Sequence, residues 1–362
     1  MKHIIFTVTN DLNFDQRMLR ICNSLAVNGY TVTFVGAETG KSSTLLPGNF
    51  QKKRIRLVYT SGPWFYMEYN LRLFFYLLFR KCDCICCIDL DTIMPVHFAA
   101  MLRGRKKVYD AHEYFSQQKE IISRPQVHRV WHWIERTFLP KFKNGYTVSQ
   151  SIADEFYRLY AVRYAVIRNL PVFKDHIPAH GGEKFILYQG AVNEARGLES
   201  LVPAMKEVNA QLHIYGDGNY MAQTKELIAS HGLQDKVILK GKFLPEELNN
   251  ITASAYIGIN LVENNGLNQY YSLANKFFDY ILYRVPQVTM NFPEYAAINN
   301  KYEVALLIDE ISPGSVAGAI NELLNNDTLH ERLAFNCIAA AAELNWNNEE
   351  KKLLNFYKAI FE

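Results

Sequence analysis

At 362 residues the chain is too long for one ordinary core, and two domains are expected. With 49% hydrophobic and 21% charged residues and a formal charge of +3, it reads as a soluble globular protein, and net charge gives no support to a nucleic-acid partner. No apolar run approaches the roughly 18 residues of a membrane span, and Met1 leads into a strand that is polar again by Thr7. No leader peptide is read, and a cytoplasmic location is expected.

Taken in order, the first half alternates strand and helix signals. "HIIFTVT" reads as a strand, and "DQRMLRICNSLAVNGY" as a helix with Met18, Cys22, Leu25 and Ala26 on one face. "TVTFVG", "RIRLVYT" and "CICCID" read as further strands, followed by a helix from about Thr92 to Arg103, the strand "KKVYD", the strand "NGYTVS" and the helix "SIADEFYRLY". Cys82, Cys84, Cys86 and Cys87 share one short apolar run, which suits a reduced, buried strand; zinc takes ligands converging from separated pairs. "NLPVFKDHIPAHGGEKF" has linker composition, and a domain boundary is placed there. Beyond it the alternation restarts through "FILYQG", "LHIYGDG", "KVILKG", "AYIGINL" and "PQVTM", and the chain ends in a helix striped by Leu353, Leu354, Tyr357 and Ile360.

Short apolar strands between amphipathic helices imply parallel sheets covered on both faces. The expected architecture is therefore α/β, with two doubly wound Rossmann-like domains. The boundaries are 1–170 for the first domain, 171–183 for the linker, 184–341 for the second domain and 342–362 for the terminal helix. Such domains bind ligands at the carboxyl ends of their strands, and the chemistry-bearing residues fall at such ends.

"YQGAVNEARGLE" carries a strand into a glycine turn at Gly190, holds Arg196 at that turn and opens a helix after Gly197. Free backbone N–H groups at a helix start suit a phosphate, and Arg196 could add a bidentate fork; an arginine capped into a tight surface turn is the alternative. In "SLANKFFDYILYRVP" a helix starting near Asn275 puts Lys276 in its first turn, where a cation is misplaced unless an anionic ligand offsets it. Asp279, one turn on, could reach the paired hydroxyls of a ribose. Gly216 and Gly218 of "IYGDGN" allow close approach of a ligand or of another backbone, and the third glycine of a dinucleotide fingerprint is missing, with Met221 in its place. In the first half, "VYDAHEYF" sets Asp110, His112 and Glu113 beyond a strand. Asp11, Asp15 and Arg17 follow the first strand and could touch a polyol, although helix capping explains Asp15 equally well. Asp89 and Asp91 form an Asp-x-Asp that elsewhere holds a divalent metal, but the phosphate machinery lies in the other half, so no metal is expected.

In combination these motifs resemble the GT-B-fold glycosyltransferases of family 4, retaining enzymes that use nucleotide-diphosphate sugars. The likeness rests on "GAVNEARG", "VILKGKFLPEEL", "YYSLANKFFDYILYRVP" and "DAHEYF", and it covers essentially the whole chain. The resemblance implies that the last helix crosses back to the first domain and that Phe243 borders the nucleobase. It implies that Gly190, Arg196, Tyr271, Ser272, Leu273, Asn275, Lys276 and Asp279 form the donor site, and that His112 approaches the donor sugar. Asp11, Asp15, Arg17, Asp89, Asp91 and Glu113 would face the acceptor. No cofactor is expected, and the acceptor would be a glycan or a lipid-linked molecule. The chain departs from the pattern at Ala191, where many members carry arginine, at Tyr271 and Asp279, where the pattern has glutamates, and at Ala274 and Arg284.

An epimerase of the same fold is the rival enzyme class, since Asp15, Asp110 and Glu113 could supply acid and base. A degenerate, non-catalytic homologue is a further rival. Two stretches suit an anionic membrane surface: one with Trp64, Phe65, Phe74, Phe75 and Tyr76 beside Arg72, Arg80 and Lys81, the other with Trp131 and Trp133 beside Arg129, Arg136, Lys141 and Lys143. Packing of these faces into the core is the alternative.

Overall fold

The structure is a computed structural model, and it describes residues 1–38, 42, 44–174, 184–243 and 245–362, without the side chains at 245 and 246. Most of the expected linker, 175–183, lies outside the described residues. The chain divides into two compact units. The first comprises Met1–Asn169, Gly266–Asn268 and Glu349–Glu362, and the second Leu170–Asn265 and Gln269–Asn348.

The first unit holds a parallel sheet of β1 (His3–Thr7), β2 (Thr31–Glu38), β3 (Gln51–Arg56), β4 (Cys84–Ile88), β5 (Lys106–Ala111), β6 (Gly145–Thr147) and β7 (Ala165–Val166), in the order β3-β2-β1-β4-β5-β6-β7. Its helices are α1 (Gln16–Val27), α2 (Gly62–Phe79), α3 (Ile93–Arg103), α4 (Lys119–Ile122), α5 (Pro125–Phe138) and α6 (Gln150–Tyr160). β4 is central and wholly buried, so its cysteines act as small apolar side chains, and all six cysteines of the chain are free. The carboxylate of Asp15 accepts from Met18 N at 3.0 Å and starts α1, which makes the capping reading of Asp15 the observed one. The strand expected at 54–60 lies instead at Gln51–Arg56. It is an edge strand of charged residues, and the apolar Leu57–Tyr59 stretch that suggested it lies outside the ladder.

The second unit holds β8 (Phe185–Gln189), β9 (Gln211–Tyr215), β10 (Val237–Gly241), β11 (Ile257–Asn260), β12 (Gln287–Met290) and β13 (Ala305–Ile308), parallel in the order β10-β9-β8-β11-β12-β13. Helices α7 (Leu198–Ala204), α8 (Met221–Ser230), α9 (Pro245–Ser254), α10 (Leu267–Tyr270), α11 (Asn275–Leu282), α12 (Pro293–Tyr302), α13 (Pro313–Asn325) and α14 (Asp327–Glu343) follow in the chain. Ile186, Tyr188, Leu201, Ile214, Ile259, Phe277 and Val288 are part of one continuous core.

The last helix, α15 (Trp346–Phe361), begins with Trp346 N donating to the carbonyl of Pro171. From Glu349 onward it belongs to the first unit. There the Glu349 carboxylate accepts from Arg168 N at 2.7 Å, and the Tyr357 hydroxyl lies 3.3 Å from that of Tyr146. The apolar stripe explains the crossing, because Leu353, Tyr357 and Ile360 are buried.

Candidate functional site

In the second unit the ends of β8 and β9 are locked together by two loops. A Cβ on Gly216 would collide with the carbonyl oxygen of Gly190, and one on Gly218 with that of Val192. The approach closes hydrogen bonds from Gly190 N to Tyr215 O (2.9 Å), Val192 N to Asp217 O (3.1 Å) and Tyr220 N to Val192 O (2.9 Å). Gly216 and Gly218 therefore admit a neighbouring backbone, one of the two uses open to them from sequence.

That lock fixes the turn holding Arg196, which sits between Ala195 (φ 63°) and Gly197 (φ 70°). Arg196 is half-buried and makes no hydrogen bond or ion pair among the described residues. Lys276, in the first turn of α11, reaches back over β8. Its Nζ lies 3.8 Å from the centroid of the Tyr188 ring and packs beside Gly190, where an added Cβ would meet it at 3.9 Å. The ammonium is buried with no hydrogen-bond partner among the described residues. Burial first, and then the nearby Arg196 cation, push its pKa well below the ordinary lysine value, against a smaller opposing pull from Asp279. A lysine in the first turn of a helix reads as exposed, but Lys276 is not. Helical spacing placed its Cα, but its head is covered by β8 and the turn that follows.

Asp279, one turn beyond Lys276, accepts from the Gln189 side chain at 3.1 Å, and Gln189 in turn accepts from the Thr252 hydroxyl at 2.7 Å. Asn275 is exposed at the start of α11. Ser272 donates to Gln269 O at 2.8 Å, and Ala274 N donates to the Tyr295 hydroxyl at 3.0 Å, which ties down the Tyr271–Leu273 segment entering α11. Phe243 follows β10, is 43% exposed, and meets Tyr215 edge to face at 4.9 Å. Tyr188 and Gln189 were missed in the sequence, although both immediately precede the Gly190 turn, where strand-end side chains face the ligand side.

In the first unit Asp110 is fully buried, 3.0 Å from Arg17 and 3.1 Å from His112 Nε2. Arg17 was placed on the acceptor side. Instead it is buried, and its guanidinium donates to Asp110 and to Ile167 O (2.8 Å), so it holds β5 and the end of β7 together rather than presenting a cation to a ligand. Asp11 accepts from Asn13 N and from Arg54, each at 2.9 Å. Asp89 has φ 53°, a strained value for a non-glycine residue, and accepts from His112 N at 2.9 Å. Burial pushes the Asp89 carboxyl well up and that of Asp91 to about 6; Asp91 also accepts from the Thr9 hydroxyl. Glu113 accepts from Asn268 at 3.0 Å, and Asp89, Asp91 and Glu113 line a 610 Å³ cavity with Thr9 and Arg124.

Burial opposes the charged form of His112, but Asp110 outweighs it and brings the imidazole to about 9. Its ordinary value is about 6.5. Between those values the folded protein binds the extra proton, so the stability it contributes is complete below about 6.5 and lost as pH rises through about 9. In His112→Gln the fall in melting temperature over this window should shrink relative to wild type. An unchanged pH profile would show that the imidazole is not held charged.

Residues 172–339 match the family model described as Glycosyl transferases group 1. No curated protein matches the chain in sequence. Among solved structures, the sucrose-phosphate synthase of Thermosynechococcus elongatus superposes with a TM-score of 0.81 at 15% identity, covering 100% of this chain and 99% of that one. Anabaena HepE, in complex with UDP and glucose, gives 0.78 at 13% identity over 99% and 100% of the two chains. WaaG, a glycosyltransferase involved in lipopolysaccharide biosynthesis, gives 0.71 at 14% over 97% and 98%. Residues 172–339 thus match a glycosyltransferase domain, and the two parallel-sheet units have the GT-B fold of these solved structures.

Proposed function

We propose that the protein transfers a sugar from a nucleotide diphosphate to an acceptor hydroxyl with retained stereochemistry, as the family 4 enzymes it resembles do, in glycan assembly. The observation that carries this reading is the Lys276 ammonium, buried without a hydrogen-bond partner and close to the unpaired Arg196. Two neighbouring cations that Asp279 offsets only in part form a receptor for an anion, and a diphosphate supplies two adjacent anionic groups. The same nucleotide class is bound by HepE.

As the bond from the anomeric carbon to the diphosphate oxygen breaks, charge accumulates on that oxygen, and Arg196 and Lys276 stabilise it. The leaving phosphate then accepts the proton of the acceptor hydroxyl as the new glycosidic bond forms on the same face. Asp279, steadied by Gln189, would take the ribose hydroxyls, and in the first unit the charged His112 would offer its N–H to a sugar hydroxyl. In this reading the basic side chains do the work of a metal ion, and none is required.

The test is turnover of nucleotide-diphosphate sugars, UDP-glucose among them, in excess EDTA. Slow donor hydrolysis that survives chelation is expected. Complete loss restored by Mn²⁺, and abolished in Asp91→Asn, would move the chemistry to the Asp89–Asp91 pair. Conversion of the donor sugar to an epimer would instead identify the epimerase.

A further inference from the structure

Helix α2 is apolar on both sides. Phe65, Tyr69, Leu73 and Leu77 point into the core, while Trp64, Met67, Leu71, Phe75 and Phe79 repeat at helical spacing on the opposite side, each more than half exposed. Neighbouring α3 adds Met101 and Leu102, at 57% and 65% exposure. Contiguous apolar surface of this kind marks an interaction site. The helices run side by side, since Arg103 at the end of α3 donates to Leu77 O at 2.8 Å near the end of α2.

Between them lies a groove of 550 Å³, lined by Leu71, Phe74, Met94, Phe98 and Met101 among others. Its one charged lining residue among the described residues is Asp91. Asp91, Tyr66, Trp131 and Ile134 also line the 610 Å³ cavity that holds Asp89 and Glu113. The groove thus adjoins the cavity at the carboxyl ends of β1, β4 and β5, with these four residues as a shared wall. Within that wall Tyr66 and Trp131 meet edge to face, with ring centroids 5.4 Å apart.

We infer that the groove holds the hydrocarbon chain of the acceptor, and that the acceptor is a single amphiphile with a hydroxyl-bearing, uncharged head in the carboxylate-lined cavity. The inference rests on the glycosyltransferase reading and narrows its acceptor to the lipid-linked class. The head follows from charge: the cavity sets Asp89, Asp91, Glu113 and Glu120 against the single lining cation Arg124 among the described residues, which disfavours an anionic head, and its carboxyl groups suit sugar hydroxyls as donors and acceptors. The tail follows from adjacency, because a molecule seated at the carboxylates has the apolar lining of the groove directly across the shared wall. An amphiphile satisfies both surfaces at once. A free oligosaccharide would leave the groove, with Met67 and Leu71 of the α2 stripe, uncovered.

The probes are alkyl maltosides of increasing chain length, below their micelle concentrations, against maltose, with binding read by calorimetry on the wild-type protein. Affinity should rise by up to about fourfold per added methylene, as expected for burial of each group. A dodecyl maltoside brominated at the chain end should quench tryptophan fluorescence, and Trp131→Phe should remove most of the quenching. Met94→Trp, which fills the groove, should flatten the chain-length series. Affinity independent of chain length overturns the inference, as does quenching that persists in Trp131→Phe. Melting temperatures with UDP, GDP and ADP, taken on the same wild-type sample, separate the two readings. A nucleotide shift without chain-length dependence removes the groove assignment alone. Chain-length dependence with no nucleotide shift removes the donor reading and leaves an amphiphile-binding site.

Discussion

Arg196→Ala is expected to lower turnover about a hundred- to a thousand-fold while leaving the melting temperature nearly unchanged. The rate effect is that of removing a preorganised donor aimed at charge that develops in the transition state. The small stability effect follows from where the side chain sits. It is half-buried and makes no hydrogen bond or ion pair among the described residues, so its loss opens no buried gap and orphans no partner. The turn that carries it is held by its neighbours, Ala195 and Gly197 in the left-handed region and the Gly190–Tyr215 and Val192–Asp217 bonds, and not by the guanidinium. Surface substitutions of this kind usually move stability by about 0.5 kcal/mol or less. Arg196→Lys should recover part of the rate, since it keeps the charge and loses the fork. Steady-state kinetics beside a thermal melt decide it. A rate within a few-fold of wild type would make Arg196 a turn residue without a part in catalysis.

The parallel sheets were legible because buried strands read as short apolar runs, and a strand such as β4 has no polar residue to confuse it. The misses are edge elements. β7 has two residues, β13 closes the far edge of its sheet, and β3 alternates charged side chains that outweigh its weak apolar face. The candidate site was legible where it depends on local geometry. The places of Gly190 and Arg196 at a turn and of Lys276 at a helix start are properties of a few consecutive residues. It was illegible where burial depends on remote parts of the chain. Arg17 looks available beside the β1 loop, yet its partner Asp110 lies 93 positions away. The Thr9 hydroxyl bonded to Asp91, and the groove between α2 and α3, exist only once the sheet has brought β1 beside β4.

Lys276 is the case where such illegible burial changes an expected result. With the head exposed, Lys276→Ala would be silent in stability. With the ammonium buried over Tyr188 and without a hydrogen bond, the native state below the folded pKa carries a charge that Asp279 only partly offsets. Lys276→Met keeps most of the unbranched stem and removes that charge, so it should raise the melting temperature of the ligand-free protein while lowering turnover about a hundred- to a thousand-fold. The pH dependence gives an independent check. Burial and Arg196 place the folded-state pKa well below the ordinary lysine value, so on this group the unfolded chain binds more protons at every pH between the two values. Wild-type stability from this source therefore increases with pH up to about 10.4, the unfolded value, and is lost as pH falls through the folded pKa. Lys276→Met should lack that component. A nucleotide diphosphate bound beside the ammonium supplies the missing counter-charge and draws its pKa back up. At a pH above the folded pKa, where the ligand-free amine is neutral, binding to the wild type should then take up a proton, seen as a dependence of the calorimetric heat on the ionisation enthalpy of the buffer, and Lys276→Met should lose both the uptake and most of the nucleotide-induced thermal shift. If Lys276→Met instead melts lower than wild type and still shows the full nucleotide shift, the lysine is a packing element of β8 and the anion site lies elsewhere.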